Sequence, residues 1–406
     1  MEINEYLQRL KDAGDYRSIP LETKADVVDF STNDYMGIAA DGELRERFFA
    51  DPAARNLPMS SSASRLLASR QIDYFNLETF LRLLYGKYCG GDRAALLFNS
   101  GYHANTGLVS SLAADDTYII ADRLFFFSGS AKNRSRSSRL VHASIIDGIV
   151  LSRAPFTRFR HNDYSHLEQL VERHKDEKKK ILVIVESVYS MDGDSADIEQ
   201  LIELRRRYPQ VMLYVDEAHA FGVRGPRGLG LVAASSAPGE VDVIVGTFGK
   251  AAGSMGAFAI TSGPVREFLV NTARSFIFST ALPPMQAAWT RFALGALLSA
   301  ERRRAHLQWL SEKLQKVLQK YSTAPIAVSH IQPLVIGDSR KVVELSHKLL
   351  NIYGLKALPI RRPTVPPGTE RLRISLSASL NGREIEELDR ALADLLPVVN
   401  NDNTCQ

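Results

Sequence analysis

The chain has 406 residues, 45% of them hydrophobic and 24% charged, enough apolar content to bury a large core divided among two or three domains. No apolar run approaches the roughly 20 residues needed to cross a bilayer, so no membrane partner is expected. Lys and Arg total 50 against 46 Asp and Glu; Lys132, Arg134, Arg136 and Arg139 account for the whole excess, which argues against a nucleic-acid surface. Two cysteines without metal-like spacing, Cys89 and Cys405, and a charged N-terminus lacking a signal-peptide core predict a cytoplasmic protein with no metal site.

Residues 1–45 read as an N-terminal arm of mixed helical and extended pattern, ending in Val27-Val28-Asp29-Phe30-Ser31-Thr32-Asn33-Asp34-Tyr35. Over 46–285, short apolar strands alternate with amphipathic helices; the clearest strands are 94–98, 117–121, 181–185, 211–215 and 241–245. Near-continuous apolar runs separated by helices predict an α/β large domain whose mostly parallel sheet is covered on both faces. After Ala281-Leu282-Pro283-Pro284 the texture changes. One long helix over about 285–320, a second helix after Val335-Ile336-Gly337-Asp338 and an extended 371–376 predict a smaller α+β domain over 286–406. There are no internal repeats, and the low-complexity stretches are 125–140 and Lys178-Lys179-Lys180.

Ligands of open α/β sheets collect beyond the carboxyl ends of the strands, and polar residues stand there in succession. Strand 94–98 runs into Asn99-Ser100-Gly101-Tyr102-His103-Ala104-Asn105, a turn opening a helix whose free N–H groups suit a phosphate. Strand 181–185 ends in Glu186 and leads to Ser190; strand 211–215 ends in Asp216-Glu217-Ala218-His219. Asp216 either holds a protonated ring nitrogen or caps a following helix, with His219 on the same helical face. Strand 241–245 empties into Gly246-Thr247-Phe248-Gly249-Lys250-Ala251-Ala252-Gly253. A lysine enclosed there is either paired with a structural carboxylate or is a nucleophile whose pKa desolvation lowers. No P-loop, no G-x-G-x-x-G and no H-E-x-x-H competes. A phosphate turn, an aspartate, a histidine and a lysine in this order are the parts for binding pyridoxal phosphate.

With these motifs the chain resembles the α-oxoamine synthases, a family of fold-type I pyridoxal-phosphate enzymes. Further matches are Phe30–Tyr35, His142-Ala143-Ser144-Ile145-Ile146-Asp147-Gly148, Ser279-Thr280-Ala281-Leu282-Pro283-Pro284 and Arg371-Leu372-Arg373-Ile374-Ser375. The resemblance implies a transferase fold with pyridoxal 5'-phosphate held by Lys250. That lysine would also remove the Cα proton of an amino acid. By the same likeness, Asp216 would pair with the ring nitrogen, His219 and Ser190 would bond the phenolic oxygen, and His142 would stack on the ring. Gly101, Tyr102 and Thr247 would hold the phosphate, and Thr280 would reach the phosphate in the other subunit of a homodimer. Arg373, with Asn33 and Arg17, would bind the substrate carboxylate, and Glu186 would serve as a supporting or acid group. The implied reaction is a decarboxylative condensation of L-alanine with pimeloyl-CoA or a pimeloyl carrier protein, giving 8-amino-7-oxononanoate for biotin biosynthesis. A sister acyltransferase acting on glycine, and a catalytically silent paralogue, are the alternatives.

The chain departs from the family pattern chiefly in residues 125–140, a basic, serine-rich insert just before His142. It reads as a tolerated bulge, because loop entropy grows slowly with length, rather than as a recruited site for CoA phosphates or an acidic carrier. Ser60-Ser61-Ser62-Ala63-Ser64-Arg65 replaces a more glycine-rich stretch, and Tyr74 stands where many relatives carry histidine.

Overall fold

The structure is a computed structural model that describes residues 2–12, 15–17, 19, 27–113, 116–123, 141–177, 179–362 and 364–398. The basic insert therefore lies outside the described residues. Seven strands form the central sheet: β1 Arg93–Phe98, β2 Thr117–Arg123, β3 Phe156–Arg160, β4 Lys180–Glu186, β5 Val211–Asp216, β6 Val243–Thr247 and β7 Ala257–Ser262. Their spatial order is β1-β7-β6-β5-β4-β2-β3. Only β7 runs against its neighbours, so the sheet is mostly parallel, as the apolar runs predict. Alternate residues of each strand enter two separate cores. Val183, Val185, Leu213, Val215 and Ile244 pack on one face; Leu182, Ile184, Tyr214, Val243 and Val245 pack on the other. Burial on both faces is what continuous β-branched strands require.

Two strands of the central sheet went unpredicted. β3 is an edge strand whose Phe156-Thr157-Arg158-Phe159-Arg160 buries only Phe159 fully, so it lacks the apolar run of its neighbours. β7 follows β6 so closely that the pair forms a hairpin around the Lys250 turn, with Thr247 opposite Ala257.

The expected long helix at 285–320 is instead two helices, Pro284–Leu298 and Glu301–Leu318. Arg304 explains why the break is tolerated. Its guanidinium donates to the carbonyls of Leu297 (2.8 Å) and Leu298 (3.4 Å) in the last turn of the first helix, and it pairs with Glu301 at 2.6 Å. Beyond it, Leu358–Ile360, Arg371–Ser375 and Ile331–Val335 make an antiparallel sheet backed by helix Ser339–Tyr353. Val28–Asp29 pairs in parallel with Leu355–Lys356, and Ser375 N–H donates to Phe30 O. The segment carrying Asn33 and Tyr35 is thereby tied to the strand carrying Arg373. Among the described residues no helix is long and apolar enough to cross a membrane.

Candidate active site

Registered pairing of β4, β5 and β6 sets their polar ends side by side: Glu186 lies opposite Asp216, and Asp216 opposite Val245, two residues before Thr247. Asp216 is buried and held on both oxygens, Oδ1 accepting from Ala218 N–H (2.9 Å) and Oδ2 from Asn105 Nδ2 (2.8 Å). The bond from Ala218 N–H caps a turn and not a helix. Residues 218–223 are consecutive turns, so no regular helix follows and His219 does not share a helical face with Asp216. Asn105 itself is fixed by Tyr214, whose hydroxyl donates to Oδ1 at 2.6 Å.

Lys250 leaves β6 through Thr247-Phe248-Gly249 and places Nζ 2.7 Å from His219 Nε2. The lysine is half-buried rather than sealed. Desolvation lowers its pKa to about 8 against the opposing pull of Asp216 and Glu186, with Arg373 adding to the decrease. Burial likewise holds the fully enclosed His219 well below the usual imidazole range, reinforced by Lys250 and Arg373. The partner of His219 Nδ1 is the Tyr35 hydroxyl at 2.7 Å. Tyr35 donates to Asn33 Oδ1 at 2.8 Å, and burial pushes its phenol up to about 12.

Arg373 completes the cluster. It donates to Ser190 O (2.6 Å), Ser375 Oγ (2.7 Å), Asn33 Oδ1 (3.2 Å) and Tyr35 Oη (3.4 Å). It is buried, yet among the described residues no carboxylate pairs with it, nor with Lys250. A buried guanidinium met only by neutral acceptors calls for an anion from outside.

At the phosphate turn, Ser100 caps helix Gly101–Leu112, its hydroxyl accepting from His103 N–H at 3.2 Å. The N–H groups of Gly101 and Tyr102, at the first turn, have no intrahelical partner and sit at the positive end of the helix. Gly101 lies beside Thr247, since a Cβ there would be 3.8 Å from Thr247 Cβ. The Thr247 hydroxyl donates to Gly256 O at 3.1 Å and accepts from Gly249 N–H at 3.2 Å.

His142 caps helix Ala143–Ser152, with Nδ1 accepting from Ser144 N–H. Ser144 Oγ accepts from Asn105 Nδ2 at 2.9 Å and gives its own proton to His142 Nδ1 at 2.7 Å. One chain of bonds thus links the His142 ring to Asp216. The surrounding protein lowers the His142 pKa through desolvation, although the residue is exposed at its surface. Glu186 accepts from His142 N–H, and burial beside Asp216 raises its carboxyl to about 8.

Lys250, His219, Asp216, Arg373, Asn33 and, through bonded neighbours, His142 therefore converge. Two predicted residues stand apart from that cluster, and a third, Ser190, joins it through its carbonyl, which accepts from Arg373. Thr280 is exposed, its carbonyl accepting from Asn99 Nδ2 at 2.5 Å. Arg17 makes an exposed bond to Thr364 Oγ1 at 3.1 Å. Tyr35, Asn105, Ser144 and His330 were missed as site residues. Tyr35 was within reach of sequence reasoning, because it closes the same Phe30–Tyr35 motif that carries Asn33. His330, which meets the Tyr35 ring edge-on at 4.4 Å, carries no such signal.

These parts fit pyridoxal phosphate: an amine for its aldehyde, a fixed carboxylate for its ring nitrogen, unspent helix N–H groups for its phosphate and no resident anion competing for the cations. The model of the aminotransferase class I and II family matches residues 25–392. The 8-amino-7-oxononanoate synthase of Haemophilus ducreyi is 40% identical over 400 residues, covering 95% of this chain and 98% of its own length. A Pasteurella multocida (strain Pm70) protein provisionally named for the same activity is 44% identical over 370 residues, 91% of this chain and 90% of its own. Serine palmitoyltransferase from S. paucimobilis, solved with PLP, superimposes with a TM-score of 0.82 at 28% identity, over 97% of both chains.

Proposed function

The chain belongs to the aminotransferase class I and II family, and from that premise we propose that it condenses L-alanine with a pimeloyl thioester to give 8-amino-7-oxononanoate. It is a pyridoxal-phosphate enzyme of the acyltransferase type, of the kind that serves biotin biosynthesis. The single observation that carries the substrate reading is the buried Arg373 guanidinium without a carboxylate, bonded through Tyr35 and His219 to Lys250.

Each residue then has a task. Lys250 Nζ holds the cofactor and, unprotonated above about pH 8, takes the Cα proton of the amino acid. Arg373 and Asn33 orient the substrate carboxylate, with Arg17 as a further carboxylate-binding residue. Asp216, fixed in place by Asn105 Nδ2 and Ala218 N–H, would pair with the ring nitrogen. His219 and Ser190 flank the phenolic oxygen, His142 covers the ring, and Gly101, Tyr102 and Thr247 receive the phosphate. When bound, pyridoxal phosphate supplies the electron-withdrawing ring that stabilises the Cα electron pair. A Cα–C bond forms at the thioester carbonyl and the C–S bond breaks, the released thiol taking the proton that Lys250 removed; the Cα–carboxylate bond then breaks to release CO2, and a proton takes its place on Cα.

The exposure of Thr280 and the apolar surface of Met59, Leu66, Leu67 and Phe278 support a homodimer in which Thr280 serves the other subunit's phosphate site. The division into arm 1–45, large domain 46–285 and small domain 286–406 belongs to the same reading.

The test is mass-spectrometric product analysis of the cofactor-loaded protein with L-alanine or glycine and pimeloyl-CoA, pimeloyl carrier protein or acetyl-CoA. 8-Amino-7-oxononanoate from alanine alone is the expected result. Faster turnover of glycine with acetyl-CoA would overturn the substrate assignment, and no condensation with any pair would overturn the function.

A further inference from the structure

Tyr35 has one hydroxyl proton and two acceptor positions, and three neighbours compete for them. Asn33 Oδ1 can only accept, at 2.8 Å, so it takes the phenol proton. Arg373 Nη2 can only donate, at 3.4 Å. The remaining neighbour, His219 Nδ1 at 2.7 Å, must therefore bring its own hydrogen. Arg373 also donates to Asn33 Oδ1 at 3.2 Å, so a reversed amide would turn its NH2 group onto a guanidinium that can only donate. With the imidazole proton on Nδ1, Nε2 is left with a lone pair, pointing at Lys250 Nζ 2.7 Å away.

We propose that Tyr35 is a positioning residue that holds the His219 proton on Nδ1, so that Nε2 accepts a hydrogen from the Lys250 amine and leaves the amine's own lone pair uncommitted. The opposite tautomer would turn Nε2–H toward Lys250 and hydrogen-bond that lone pair, masking the nucleophile. The other charged and titratable groups facing this pair cannot set the tautomer. Asp216 and Glu186, at the ends of β5 and β4, act on Lys250 through charge alone. His142, His330 and Arg373 disfavour an imidazolium at His219 without choosing between its nitrogens. The inference concerns the lysine as a nucleophile and holds whichever amino acid and thioester the enzyme uses.

The experiment uses the full-length protein freed of cofactor and labelled with 15N-histidine. Ring-nitrogen shifts separate N–H from lone-pair nitrogens, and the His219 signals are assigned by their loss in His219→Asn. Wild type is expected to show Nδ1 protonated and Nε2 bare; the reverse pattern overturns the proposal without any Tyr35 variant. In Tyr35→Phe the proton is expected to move wholly or partly to Nε2. The rate of pyridoxal phosphate uptake on the plateau above pH 9, where the amine is already deprotonated, should fall about tenfold, the kinetic equivalent of one hydrogen bond onto the lone pair. Final uptake of one equivalent shows that the variant is folded. An unchanged tautomer in Tyr35→Phe, or an unchanged plateau rate, overturns the proposal.

Discussion

Two polar clusters share the loop that follows β4, and they are balanced in opposite ways. In the first, His161 bridges Asp122 (2.8 Å) and Asp194 (2.6 Å), Tyr189 donates to Asp122 at 2.8 Å, and the wholly buried Arg371 pairs with Asp192. Every cation there has its carboxylate. In the second, Ser190 from the same loop turns its carbonyl to Arg373, and neither Arg373 nor Lys250 has a carboxylate partner among the described residues. The first cluster is a finished clamp. The second is missing negative charge, which an amino-acid carboxylate and a cofactor phosphate would supply. Burial and hydrogen bonding look alike in both; the charge account tells structure from site.

The comparison can be broken most severely at Lys250. Lys250→Ala should lower kcat at least about a thousandfold, about 4 kcal/mol in barrier, while leaving the thermal midpoint within a few degrees. An intact kcat would place the nucleophile elsewhere. Next in size is the clamp, where the consequence should fall on stability. His161→Gln leaves two carboxylates facing each other without a cation and should cost about 3 kcal/mol. The two carboxylates raise the His161 pKa from the ordinary 6.5 to about 10. A raised folded-state value means the stabilisation is complete below pH 6.5 and is lost as pH rises through 10. Unfolding midpoints of wild type and His161→Gln should accordingly differ most near pH 6 and converge above pH 10. A constant gap would mean that the charge is not what holds the clamp.

Arg373→Lys should raise the KM for the amino acid with a loss of about 2 kcal/mol, since an ammonium cannot serve the fork of acceptors the guanidinium meets. Cofactor affinity should stay near wild type. Lys348→Ala, breaking an exposed pair with Glu344 on the outer helix face, should leave stability and turnover unchanged within measurement.

How much of this was readable in advance follows the same physics. β4, β5 and β6 are near-continuous apolar runs, so Glu186, Asp216 and Lys250 could be placed at or just beyond strand ends from local pattern alone. The helix break near Ser299 could not be read, because Arg304 folds back onto the Leu297 and Leu298 carbonyls only once the chain has turned there. His161 and Arg371 were silent for a related reason. Their partners lie 39 and 179 positions away, and nothing local marks either residue as half of an ion pair. Ser190 lay in a motif that was noticed, but the bond of its backbone carbonyl to Arg373 is one that side-chain reasoning does not weigh. Tyr35 was quoted as part of a motif without a role, because its importance comes from a proton count among three neighbours.

The antiparallel pairing of β6 with β7 gives the lysine a different kind of support from the aspartate it faces. Thr247 pairs with Ala257, Phe248 N–H donates to Gly256 O at 2.9 Å and Ser254 N–H donates to Phe248 O at 2.9 Å. The seat of Lys250 is therefore written in one uninterrupted stretch of chain, a self-contained cassette. Asp216 instead takes its position from strands that meet only through long crossovers, so its alignment is a collective property of the sheet. An added or deleted residue within a crossover helix would be absorbed by loops and leave both seats intact. One added inside β5 would shift Asp216 off the cassette while the cassette itself stayed whole.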